Sequence, residues 1–162
     1  MASSEEDLRA TIETTVTQFL NSPAQALAAA KDTSLFFARL TAECVHQLRP
    51  SSFVTANPFL KAEKSNEEQK AQLESALATM EYTRVEVKEL VVDTTNRKAS
   101  VLAEHCTKII GVDANILEIS WFFHLTEDGK RISRVTEFID TATAARRIKD
   151  MKSRGFMKDE GQ

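Results

Sequence analysis

Three histidines, His46, His105 and His124, and a few carboxylates set among apolar residues are the groups of this chain suited to moving protons. His46 lies in the run Cys44-Val45-His46-Gln47-Leu48, and Glu137 and Asp140 close the run Arg131 to Asp140 beside Val135, Phe138 and Ile139. Acid–base work without a metal or cofactor needs a donor and an acceptor whose pKa values are driven apart in a dry site. A carboxylate, Glu137 or Asp140, abstracting a proton would meet half of that need. A histidine, His46 or His105, would meet the other half by donating to the oxygen where charge develops. Each residue also has a plainer reading. His46 and His105 could be satisfied structural or interface histidines, Glu137 a salt-bridged acid, and Asp140 the N-cap of a helix opening at Thr141. His124 sits beside a turn and reads as solvent-exposed.

Other chemistries are excluded more firmly. No G-x-S-x-G context surrounds any serine, and four glycines form no phosphate-binding loop. Cys44 and Cys106 lack zinc spacing and read as buried free thiols in strand-like surroundings. No metal and no organic cofactor is expected.

These residues need elements to hold them. Ile116 to Leu125 and Arg131 to Asp140 are two apolar runs of strand length, separated by Thr126-Glu127-Asp128-Gly129-Lys130, whose Asp-Gly pair offers the positive φ of a tight hairpin. Val85–Val92 and Ala99–Ile110 precede them, so four strands with short links make an antiparallel meander. Alternation puts Ala99, Val101, Ala103, His105, Thr107 and Ile109 on one side of the second strand, opposite Leu102, Glu104, Cys106 and Ile110. Glu118, Ser120, Phe122 and His124 lie opposite Ile119, Trp121, Phe123 and Leu125, and Ser133, Val135, Glu137 and Ile139 fall together with Asp140 facing away. Alternation alone does not choose the side that faces a pocket.

The N-terminal part reads as helical. Ser4 and Asp7 form a capping box ahead of Leu8, Ile12, Val16, Phe19 and Leu20, a helix predicted to end near Asn21. Ser22-Pro23 opens a second, short helix to about Lys31, and Asp32 or Thr33 caps a third through Leu40. Glu43 to Leu48 is a short strand and Ser51 to Lys64 a loop. Ser65 and Glu68 cap a helix to about Met80. Thr141 to Met151 is a basic helix, and residues 152–162 are expected to fray. Helices followed by antiparallel strands imply α+β: a strongly curved sheet with helices packed on its concave side, in one domain spanning 1–162 with its core at about 5–150.

The whole-chain balance fits. With 162 residues, 42% hydrophobic and 28% charged, the chain can bury a core. A net charge of −3 and no Lys/Arg stripe argue against nucleic-acid binding. No run reaches membrane-span length, and MASSEEDLRA lacks a basic, then apolar, leader, so a cytoplasmic protein is expected.

The residues also resemble a family. Glu118-Ile119-Ser120-Trp121-Phe122-Phe123 leading to Asp128-Gly129-Lys130, then Arg131-Ile132-Ser133-Arg134-Val135-Thr136-Glu137-Phe138-Ile139-Asp140, is similar to the G-K-I-x-R-x-x-E-F-x-D ending of SnoaL-like proteins of fungal secondary metabolism. Glu43-Cys44-Val45-His46 with Pro50-Ser51-Ser52 resembles their D-C-x-H…P-x-S segment, with Glu at 43 where the group often has Asp. The resemblance implies the NTF2-like cone, a pocket, and a homodimer through the open sheet face. Its implied function is a cofactor-independent isomerase, cyclase or dehydratase acting on a small hydrophobic polycyclic intermediate, a polyketide or meroterpenoid. The alternative is a non-catalytic ligand-binding or protein-interaction module. Under the first reading His46, His105, Glu137 and Asp140 are the catalytic candidates. Trp121 and Tyr82 would stack on the ligand, Arg39 would reach into the cone to hold an anionic oxygen, and Glu118 completes the substrate-binding set.

Overall fold

A helix that its proline does not stop begins the structure, a computed structural model that describes residues 4–157. Helix α1 runs Glu5–Ala28, capped by Ser4, whose hydroxyl accepts from Asp7 N while Asp7 accepts from Ser4 N, both at 3.0 Å. The expected break at Asn21 and restart at Pro23 do not occur. Pro23 has no N–H for the Phe19 carbonyl, and the Ser22 hydroxyl donates to that carbonyl instead. One helix thus replaces two, with Ile12, Val16, Phe19 and Leu20 buried on its inner face.

After α1 come α2 (Ser34–Phe37), β1 (Leu40–Arg49), α3 (Ser51–Ala56), β2 (Glu63–Lys64), α4 (Asn66–Thr79), β3 (Met80–Asp93), β4 (Lys98–Ile109), β5 (Asn115–Leu125), β6 (Ile132–Ile139) and α5 (Thr141–Ser153). The third helix is therefore shorter than predicted, since Leu40 already pairs with Ile132 as the first residue of β1. The predicted loop after Pro50 contains α3 and the two-residue β2. Helix α4 carries the second capping box, Ser65 with Glu68, as the spacing predicts. The fraying expected for 152–162 falls partly on residues outside those described; α5 itself continues through Ser153.

The strands form an open, mixed six-stranded sheet in the order β2-β1-β6-β5-β4-β3. Strands β3 to β6 make the antiparallel meander read from the short links. Strand β1 adds to it parallel to β6, with His46 beside Val135 and Leu48 beside Glu137. The fold is α+β, with helices over one face of a curved sheet.

Alternation now resolves into faces. Val101, Ala103 and Thr107 of β4, Leu117, Ile119, Trp121 and Phe123 of β5, and Val135 and Ile139 of β6 are buried on the helix side. Phe19 meets Trp121 and Phe123 edge-on, at 6.0 and 5.7 Å between centroids. A buried aromatic side chain of this kind contributes about 2–3 kcal/mol through area alone. The opposite face leaves Val91, Leu102, Phe122 and Phe138 exposed.

The β5–β6 turn is anchored to α1. Only Gly129 of its loop takes a positive φ, 69°. Gly129 N donates to Thr126 O at 2.8 Å, and the Thr15 hydroxyl donates to Gly129 O at 2.8 Å. The helix therefore fixes the end of the hairpin whose other end carries Glu137.

Candidate active site

A cavity of about 290 Å³ lies between the inner face of the sheet and the helices. Its walls are mainly apolar: Phe19, Leu20 and Pro23 from α1, Phe36, Leu48, Phe53, Leu73, Ile119, Trp121 and Ile139. A few polar groups interrupt them, namely His105, Glu137, Arg147, Gln69, Gln72, Thr83 and Thr107. Apolar walls with sparse polar groups are the composition of a small-molecule site.

Three neighbouring strands place the central trio. Trp121 on β5 stands directly opposite Glu137 on β6, so their Cβ atoms are cross-strand neighbours. On β4, His105 lies on the same face, opposite Leu117. The Trp121 indole N–H donates to His105 Nε2 at 3.0 Å. Indole is a donor only, so Nε2 is the unprotonated nitrogen and the ring proton is on Nδ1. Burial, and then the Arg147 guanidinium, push the His105 pKa down to about 4. His105 is neutral at physiological pH and presents Nδ1–H as a donor.

Glu137 is the opposite case. Its carboxyl accepts no hydrogen bond from the described residues, and burial raises its pKa above the ordinary carboxylate range despite the pull of Lys64. No salt bridge joins the two, as the Lys64 ammonium instead donates to Gln72 Oε1. Burial lowers the Lys64 pKa in turn, against the attraction of Glu137 and Glu68. Gln69 adds a third unsettled group: the residue is 9% exposed, and its Oε1 is buried without a hydrogen-bond partner among the described residues. Such an acceptor costs about 1–3 kcal/mol unless a ligand or water satisfies it.

Of the candidates chosen from sequence, the cavity thus collects His105, Glu137 and Trp121. It does not collect the others. His46 is 4% exposed on the inner side of β1, but Phe36 stacks on it and its Nε2 lies 2.9 Å from Asn66 Oδ1. Asn66 gives its own N–H groups to the carbonyls of Thr41 and Ala42, so His46 is the donor in a closed structural network. Asp140 caps α5, accepting from Ala142 N at 3.0 Å and Thr143 N at 3.4 Å. The bond to Thr143, then that to Ala142, holds its carboxyl below its usual range. The one register irregularity of β6 lies between Ile132 and Arg134, and alternation from Arg134 onward sends Asp140 away from the cavity. Tyr82, on β3, is 45% exposed. Glu118 is exposed on the outer face opposite Glu104. Arg39 sits in the α2–β1 link, where its carbonyl accepts from Ile132 N, and does not line the cavity. His124 is exposed, and Cys106 is half-buried where full burial was expected.

Sequence reading missed Arg147 and Gln69. Both carry a legible signal: Ala144, Arg147 and Ile148 share one face of α5, and Gln69 begins the stripe Gln69, Leu73, Leu77 on α4. A polar residue at a stripe position is either paired or exposed to a cavity.

No group of histidines, cysteines and acids able to hold a metal ion occurs among the described residues. No helix among them is long and apolar enough to cross a membrane.

No protein-family model matches the chain, and no curated protein sequence matches it. Solved structures do. BvnE pinacolase from Penicillium brevicompactum superposes with a TM-score of 0.78 at 16% identity, covering 91% of this chain and 99% of that one. PrhC from Penicillium brasilianum gives 0.79 at 15% identity, covering 93% and 94%. An NTF2-like protein of unknown function from Burkholderia pseudomallei gives 0.64 at 13% identity, covering 84% and 95%. At these identities the likeness is one of fold. The chain shares the NTF2-like cone fold of these structures.

Proposed function

We propose that this chain is a cofactor-independent isomerase or cyclase, or a dehydratase, working by general acid–base catalysis on an apolar polycyclic metabolite of polyketide or meroterpenoid type. The observation that carries the reading is the Glu137 carboxyl, unpaired by hydrogen bonds and raised in pKa, sharing an apolar cavity with a neutral His105. A carboxyl that burial makes a weaker acid than usual is suited to serve as acid and base in turn. Glu137 removes a proton from carbon beside a carbonyl and returns it at another position. His105 Nδ1–H donates to the oxygen on which charge develops, and being neutral it does so without first losing a proton. Phe19, Phe36 and Trp121 hold the ring system in one orientation, which lowers the entropic part of the barrier.

The likeness to a pinacolase supports this reading, because a pinacol-type rearrangement needs an acid to protonate a departing hydroxyl, which leaves as water, and a base to take the proton from the rearranged cation. A non-catalytic binding module would need no converging polar groups, and the presence of Glu137, His105 and Gln69 on one cavity favours catalysis. The apolar outer face, with Leu102, Phe122 and Phe138 exposed, supports a homodimer through the sheet, which the solution mass by light scattering tests.

The decisive experiment compares the wild-type chain with Glu137→Gln on polycyclic hydroxyketones, following isomeric and dehydrated products by mass spectrometry. Turnover should fall by about 10²–10⁴-fold with the fold intact. Undiminished turnover in the variant would refute the assignment.

A further inference from the structure

Arg147 lines the apolar cavity and also a second cavity of about 390 Å³ between the β4–β5 link and α5. This outer cavity is polar. Arg146, Arg147 and Arg154 face it, along with Asp113, Asp150, Asn115 and Thr143. No carboxylate lies within 4 Å of any of the three guanidinium groups among the described residues. Arg146 donates to the Thr143 hydroxyl at 3.0 Å, and Arg154 packs beside Gly111.

Arg147 is the unusual one of the three. Its Nε and one terminal nitrogen both donate to Asn115 Oδ1, a neutral acceptor, which orients the guanidinium and uses two of its five N–H groups. A half-buried guanidinium is normally matched by a carboxylate or phosphate, because desolvation is otherwise uncompensated. Here no described residue supplies the matching carboxylate, and the side chain lines both cavities.

We propose that the ligand of the apolar cavity carries a carboxylate that pairs with Arg147, so that the substrate is an amphiphilic ring-system acid, its rings among Phe19, Phe36 and Trp121 and its carboxylate directed to the outer cavity. This rests on the proposed function in one respect: the apolar cavity is taken as the substrate site. Asp113 and Asp150 keep the outer cavity from being generally anion-attracting and leave Arg147 as the specific contact. The carboxylate also lies on the His105 side, away from Glu137, so that it does not raise the cost of ionising the proposed base further.

The test is binding, independent of turnover. Adamantane-1-carboxylate and the neutral adamantane-1-carboxamide, nearly equal in shape, are titrated calorimetrically into wild-type chain and Arg147→Gln at pH 7.5. The acid should bind wild type about tenfold or more tighter than the amide, as a charge-assisted pair is worth. Arg147→Gln should abolish that preference, bringing acid and amide to nearly equal affinity, with measurable amide binding to the variant serving as the control for an intact cavity. Equal affinities in wild type, or a preference that survives the substitution, would overturn the proposal and leave the acid–base reading standing. Binding of neither compound would overturn both. If Arg147→Gln does not fold, the wild-type ratio alone decides, and a ratio of one or below refutes the pairing.

Discussion

The Trp121 indole N–H donates to His105 Nε2 across 3.0 Å, and this one bond decides which ring nitrogen carries the proton. It turns an aromatic wall residue into the group that sets the histidine's tautomer, leaving Nδ1 as the nitrogen that carries the proton. Trp121→Phe keeps the ring that packs with Phe19 and Phe123 but removes the donor. The His105 ring should then no longer be held as the Nδ1–H tautomer, as read from its ring nitrogen NMR shifts. Turnover should fall by about 10-fold or more, the loss expected when one donor bond that orients a catalytic group is removed. Ring nitrogen shifts that do not move would refute this role for Trp121.

Acid should destabilise the fold through the same histidine. Burial, then Arg147, lowers the folded-state pKa of His105 to about 4 against 6.5 for the free side chain. Between those values the unfolded chain binds the proton and the folded chain does not. The contribution is complete above pH 6.5 and is lost as pH falls toward 4, at most about 3 kcal/mol. Glu137 runs the other way: its raised pKa stabilises the fold below the ordinary carboxylate pKa and is lost as pH rises through the folded value. Denaturant unfolding of His105→Gln should therefore lose much of the wild-type decline between pH 6.5 and 4. An unchanged slope would show that other groups carry it.

Gly129 is irreplaceable for two reasons that add. Its φ of 69° is strained for any L side chain, and a Cβ there would come within 2.8 Å of Ile12 Cγ1 and 3.1 Å of Leu8 Cδ1 on α1. Gly129→Ala should cost about 2–3 kcal/mol, combining the backbone penalty with overpacking. The midpoint of urea unfolding measures it, and a loss below about 1 kcal/mol would show that the turn shifts freely away from α1.

Asp140→Ala separates a cap from a catalyst. Its carboxylate is taken up by the N–H groups of Ala142 and Thr143, so the variant should lose about 1 kcal/mol of stability and keep its turnover. Loss of turnover without loss of stability would place Asp140 back among the catalytic groups.

Much of this site was legible as strand phase. The period-two patterns of β4, β5 and β6 put His105, Trp121 and Glu137 on faces that could meet, and the same parity argued against Asp140, which was nonetheless kept as a candidate. Which face was inner depended on where α1 lay, and that is set by packing that no single strand encodes. Arg147 and Gln69 were missed because a polar residue in an apolar helical stripe acquires its role only once the helix docks. The continuation of α1 past Pro23 hung on a single serine hydroxyl. The parallel β1–β6 pair joins residues about ninety positions apart, beyond the reach of local pattern.

That pairing has a consequence for how the molecule is made. Leu48 on β1 must wait for Glu137 on β6, so during synthesis the first long strand emerges well before its main partner exists. The meander from β3 to β6 needs only neighbouring strands and can assemble as the ribosome delivers it. Strand β1, with α3 and the Phe53 and Leu48 walls, then closes over its edge. The cavity draws walls from both sides of this long-range pairing, so a ligand that fills it ties together parts of the chain about ninety residues apart.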